Sequence, residues 1–346
     1  MLSLALLALA AAPALPPGQL VFNGERDGNR EIYRVTLPER RIERLTRNPG
    51  ADEEPELSPD GCWIAWHSER GGNRDLYKMR SGGGDELRLT DDPAIDEDAS
   101  WSADGSRIVF WSNRGGAEDL YEVPAAGGRP TRLTRNRGRA TMRVPALSPD
   151  GRFVAYTSNK SGSHQVHVLE LGSRRDVALT EGRPGACRPD WSPNGEQIVY
   201  VHPEGRAGII SELLKPATDL WLQAPGAGGA PRKLTRDPHN HYDPSFSPDG
   251  RFVVFASDRH GDYDIFILEL ATGAELRITD WKGDERAPHW GPPCPAADLP
   301  PSARGCGGVP PLGLPLRSLG LLQRTLRDTG TGTNFRQDQT ADSAVQ

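Results

Sequence analysis

Five Ser-x-Asp/Asn-Gly segments, at residues 58–61, 102–105, 148–151, 192–195 and 247–250, recur every 44 to 55 residues, and an apolar run follows each. A self-similar unit of that period is the mark of stacked four-stranded blades. One copy reads Cys62-Trp63-Ile64-Ala65-Trp66, then Ser68-Glu69-Arg70-Gly71-Gly72, then Asp75-Leu76-Tyr77, Gly82-Gly83-Gly84 and Leu89-Thr90. Six strand ends of the Leu-Thr type follow this grammar, at Leu45, Leu89, Leu133, Leu179, Leu234 and Ile278. The expectation is an all-β chain: a six-bladed propeller of four-stranded antiparallel blades.

The two ends of the array complement each other. The first unit, Leu20–Thr46, has three strands and no preceding Ser-Pro-Asp-Gly segment, whereas Ala287-Pro288-His289-Trp290 is an inner strand with no unit after it. Pairing them closes the ring and removes two exposed sheet edges. Residues 19–290 shared among six units give about 45 residues each, an ordinary blade size.

Outside residues 15–290, two segments read differently. Leu2–Ala12 is an apolar run ending in Ala12-Pro13-Ala14, the form of a signal peptide over residues 1–14, which implies a periplasmic or secreted protein. The run is too short to span a bilayer. Residues 291–346 are crowded with Pro and Gly and then polar, so they are expected to remain disordered. Cys62 and Cys187 lie at opposite ends of their sheets and are poor partners, whereas Cys294 and Cys306 share the tail and are the candidate bridge. A net charge of -6 without a basic stripe argues against nucleic acid.

The repeat's own polar residues belong to the scaffold. Asp60, Asp104, Asp150, Asn194 and Asp249 fit hairpin turns, where a short acceptor precedes Gly. Arg70 with Asp75, Arg114 with Asp119, and Arg259 with Asp264 flank one hairpin in each copy and are expected to pair across it.

Function is expected where the blades disagree, in the three residues that enter each inner strand. These are Asp52-Glu53-Glu54, Asp96-Glu97-Asp98, Met142-Arg143-Val144, Ala186-Cys187-Arg188, His241-Tyr242-Asp243 and Glu285-Arg286-Ala287. The resulting channel mouth is acidic on one side and basic or neutral on the other. A solvated rim explains this without function; a charged surface that meets a protein or peptide explains it with one. The candidate binding residues are Asp52, Glu53, Asp96, Glu97, Arg143, Arg188, His241, Tyr242, Glu285 and Arg286. Asp52, Asp96, His241 and Glu285 are also a candidate divalent-cation set of hard oxygens and one imidazole. An insertion at Pro203–Thr218 replaces the Ser-x-Arg turn of blade 5 and is expected to overhang this mouth.

No nucleophile elbow, His-Glu-x-x-His, phosphate loop, dinucleotide fingerprint or Cys-x-x-Cys occurs. The 56 residues after Trp290 are too few for the hydrolase domain that propeller-gated peptidases carry, so a self-contained peptidase is not expected.

The unit Leu57-Ser58-Pro59-Asp60-Gly61, Ile64-Ala65-Trp66-x-Ser68-x-Arg70-x-Gly72-x-x-Asp75-Leu76-Tyr77, Leu89-Thr90 resembles the propeller repeat of the TolB family, and the likeness covers residues 20–290. The resemblance implies a six-bladed, usually exported propeller that serves as a protein-interaction platform; TolB itself docks partners on its propeller within the periplasmic Tol-Pal system. It does not reach the N-terminal α/β domain of TolB proteins, so a free-standing propeller is expected. The leading expectation is therefore a non-enzymatic protein- or peptide-binding propeller without cofactor. The alternative is a metal-assisted lyase or hydrolase of saccharides in the channel, with His241 on the metal and Tyr242 or Arg286 handling a proton or a carboxylate.

Overall fold

The structure, a computed structural model, describes residues 13–295 apart from 27, 137, 139, 183–184, 204–216 and 226–228. Residues 1–12 of the expected signal peptide, the core of the blade 5 insertion and the residues from 296, with Cys306, lie outside the described residues.

Six four-stranded antiparallel sheets form the fold. The inner strands of blades 2 to 6 are Asp52–Leu57, Asp96–Trp101, Arg143–Leu147, Cys187–Trp191 and His241–Phe246. Blade 1 joins the chain's ends: Glu285–Gly291 pairs with Gly18–Gly24, which continues to Glu31–Leu37 and Arg41–Arg44. The seam register sets Leu20 opposite Trp290 and Val21 opposite His289. Leu20, Phe22 and Trp290 pack there with Phe252, Val254 and Ile265 of blade 6, so the closure is part of the apolar core.

Both repeat signatures prove to be hydrogen-bond devices. In the turn, Ser58 Oγ donates to Asp60 Oδ1 and accepts from Trp63 N–H, while Asp60 accepts from Cys62 N–H. The same bonds recur from Ser102, Ser148, Ser192 and Ser247. The threonine of each Leu-Thr pair accepts the N–H of the third strand's neighbour, from Ile32 to Thr46, Leu76 to Thr90, Leu120 to Thr134, Val166 to Thr180, Leu220 to Thr235 and Ile265 to Thr279. Each bond satisfies an N–H that the short outer strand leaves without a ladder partner.

The expected hairpin ion pairs are not formed. Arg70 reaches back to Asp52, Arg114 to Asp96 and Arg259 to Asp237, whereas Asp75, Asp119 and Asp264 take Arg88, Arg132 and Arg277 from their outer strands. Strand alternation explains the difference. Asp75, Asp119 and Asp264 are buried and face the outer strand, so their charges are met there.

The disulfide also differs from the expected one: Cys294 bridges Cys62, 232 residues away. Gly61, in the left-handed region at φ +71°, lies so close to the Pro292 carbonyl that a Cβ would sit 2.1 Å from it, and Gln19 Nε2 donates to that carbonyl at 2.9 Å. The turn of blade 2 therefore holds the segment after the last strand and brings the two sulfurs together. Cys187 is a free thiol, and burial pushes it up to about 11.

Cys62→Ser, Cys294→Ser and the double variant should each lose the same stability, about 2–4 kcal/mol, because either change removes the one bond. Denaturant unfolding of the oxidised proteins tests this, and additive losses would exclude it.

Candidate functional site at the channel mouth

Each inner strand enters the channel through a bulge. The register shifts after Arg286, Glu53, Glu97, Arg143, Cys187 and Tyr242. The third residue of every entering triplet is left-handed: Glu54, Asp98, Val144, Arg188, Asp243 and Ala287 have φ of 51°, 55°, 49°, 54°, 56° and 51°. Such backbone is costly for residues other than glycine and Asn/Asp. Its presence in all six blades makes it part of the architecture, where a bulge re-aims one side chain. These six residues line the channel cavity.

The charged members of this ring meet across the channel. Arg188 of blade 5 donates from Nη1 and Nη2 to Glu54 of blade 2 at 3.1 and 3.0 Å, and its Nε lies 2.8 Å from Asp243 of blade 6. Asp243 also accepts from Arg286 Nε and from Ala287 N–H, both at 3.1 Å. Among the described residues Asp98 has no cation within ion-pair distance. It accepts from Trp111 Nε1 at 2.8 Å and Val144 N–H at 3.0 Å, and burial beside Glu54 and Glu97 pushes its carboxyl up to about 6.

The second residues of the triplets tie neighbouring blades together. Arg30 meets Glu53, Arg74 meets Glu97, and Glu118 meets Arg143. Glu53 is additionally 3.4 Å from buried His67 Nε2, whose contact, together with Arg30, holds the carboxyl down at about 2. Tyr242 stacks edge-on with Tyr263 beneath Arg286.

The first residues are a correction to the sequence reading. Asp52, Asp96, His241 and Glu285 are each fully buried and are held within the blade walls. Asp52 is bonded by Arg70, Asp96 by Arg114, and His241 by the Thr218 carbonyl at Nδ1 and by Arg259 at Nε2. Among the described residues no three His, Cys, Asp or Glu side chains gather to hold a metal ion, so these four do not form the expected set. His239 is half-buried and paired with Asp237.

Below the mouth lies a second ring that the sequence reading missed. Here Glu56 accepts Trp101 N–H at 2.9 Å, Ser100 accepts Leu147 N–H at 3.1 Å, Asp190 accepts Phe246 N–H at 2.8 Å and His289 Nδ1 accepts Leu57 N–H at 3.2 Å. Each is a side chain of one inner strand capping the backbone of the next. Burial pushes Asp190 up to about 6 and His289 down to about 4, which leaves the imidazole neutral and able to accept. The signal was present as a polar residue two positions after five of the six triplets, Ala146 of blade 4 being the exception.

The sequence matches the TolB beta propeller domain over residues 5–90 and 72–215. The chain belongs to the TolB beta-propeller family. It is 34% identical over 137 residues to the "Protein TolB homolog" of Chlorobium luteolum, covering 40% of this chain and 28% of that one. It is 28% identical over 156 residues to the "Uncharacterized peptidase YuxL" of Bacillus subtilis, covering 36% and 24%. The matched part is thus under a third of either relative. The crystal structure of TolB from Acinetobacter baumannii superposes with a TM-score of 0.68 at 20% identity, over 80% of this chain and 67% of that one, which is a likeness of fold.

Glu285 yields a pH test of this family member's seam. Its counterpart of Arg70, Arg26, lies 4.9 Å over the Trp281 ring instead, and burial with Asp264, Asp284 and Asp262 nearby pushes the Glu285 carboxyl up to about 8. The folded state then holds a proton that the unfolded chain has released. Stability should fall as pH rises from about 4.5 to about 8, by on the order of 1.4 kcal/mol per unit at most. Glu285→Gln should flatten that slope in urea unfolding at pH 5 and pH 8; an unchanged slope would show that Glu285 is ionised.

Proposed function

We propose that this protein is a binding propeller of the space outside the cytoplasm, which takes a basic segment of a protein or peptide partner at the channel mouth. The observation that carries this reading is the ring of Glu54, Asp98 and Asp243, in which Arg188 and Arg286 meet two of the three carboxylates and Asp98 has, among the described residues, no cation in contact. A lysine or arginine from a partner would complete Asp98 and compete with Arg188 for Glu54. The half-buried Tyr242–Tyr263 pair supplies rigid aromatic surface beside the charges, while Trp111 is buried beneath the Arg143 guanidinium and holds Asp98 in place. The inter-blade ion pairs hold this rim in place before binding, which lowers the ordering cost.

Two findings support the setting. The Cys62–Cys294 bridge suits an oxidising compartment. The second is the likeness to proteins named TolB homolog and TolB.

Capture from an envelope extract tests the proposal. Asp98→Lys and Glu54→Lys should each weaken the bound partner at least about tenfold, and added salt should weaken the wild type. Asp104→Asn, at the opposite end of an inner strand, should change nothing. A cation beside Asp98 lowers its carboxyl from about 6, so affinity should rise with pH through 6 and lose that dependence in Asp98→Asn. An identical set of partners for all variants would overturn the reading.

A further inference from the structure

Blade 4 breaks the repeat's wall pairing. In blades 2, 3 and 6 the arginine of the Ser-x-Arg turn reaches the first inner-strand residue, Arg70 to Asp52, Arg114 to Asp96 and Arg259 to His241. Each of these guanidiniums also lies over two aromatic rings of its blade, at 4.4 to 5.8 Å. The corresponding residues in blade 4 are Met142 and Lys160. A thioether gives the cation no acceptor, so Lys160 Nζ turns to Tyr156 Oη at 2.7 Å and to Asp176. The space between blades 3 and 4 is left as a cavity of about 610 Å³.

The lining has two kinds of surface. Leu133, Met142 and Leu169 make an apolar wall, and Arg132, Lys160, Arg135 and Arg174 stand around it. Arg132 is met by Asp119 and Lys160 by Asp176. Arg135 and Arg174 have no carboxylate within ion-pair distance among the described residues, and Arg174 Nη1 donates to the Leu133 carbonyl at the cavity's edge. Two guanidiniums without counter-charge beside an apolar wall select against cations, and against inorganic anions that leave the wall unfilled.

We propose that this cavity binds a small organic anion, an apolar body ending in a carboxylate or sulfonate, with the acid group on Arg135 and Arg174 and the body against Leu133 and Met142. The site lies at the outer part of the blade 3 to blade 4 interface, apart from the channel mouth, and does not depend on the function proposed there.

Fluorescence titration with anilinonaphthalene sulfonate tests it, beside the neutral anilinonaphthalene that lacks the sulfonate. The expected result is saturable binding of one equivalent of the sulfonate, weakened about tenfold or more by Arg135→Glu and by Arg174→Glu, with the neutral compound binding less and unaffected by either change. Both arginines are exposed, and unchanged melting of the variants confirms that they fold. Met142→Asp, which restores the acceptor present in blades 2 and 3, should draw Lys160 inward and also reduce binding. No saturable binding, binding untouched by the arginine variants, or equal affinity for the neutral compound would each overturn the proposal.

Discussion

A four-stranded sheet this short exposes two edges and two faces, and none of the six in this chain could bury enough apolar surface alone. Closing the ring is the constraint on which the rest depends. Each sheet covers its neighbours' faces, and the last inner strand completes the first blade, so that residues from opposite ends of the chain share one core with Phe252 and Ile265. The Cys62–Cys294 bond and the Gln19 contacts reinforce the same seam.

Closure also shapes the channel. Packing six inner strands around a narrow axis requires a bulge in each, and the bulge turns one side chain per blade inward. Backbone N–H groups displaced from the ladder find Glu56, Ser100, Asp190 and His289 on the adjacent strand. The device that seals the ring thereby fixes which charges face the mouth. Arg188 spanning from Glu54 to Asp243 is a consequence of ring geometry, since its two partners stand on opposite and adjacent blades.

Much of this was legible. The turn and Leu-Thr signatures carried blade number, register and the closing strand, because each encodes a local hydrogen-bond pattern that repeats wherever the residues repeat. The channel lining was half legible: the third residue of each triplet lines the cavity, yet Asp52, Asp96, His241 and Glu285 were read as mouth residues and are buried in the walls. Strict alternation would send the first and third residues of a triplet to the same side. The bulge breaks that alternation, and only the third residue reaches the axis.

The sequence by itself determined the local hydrogen bonds, the apolar faces and hence the six-bladed ring, since these depend on residue type and spacing over a few positions. Tertiary structure alone decided which charges pair. The partners of Arg70, Asp75, Arg188 and Cys294 lie one strand, one and three blades, or 232 residues away, and electrostatic and covalent contacts depend on distance in space, which the bulges and the closure of the ring set together.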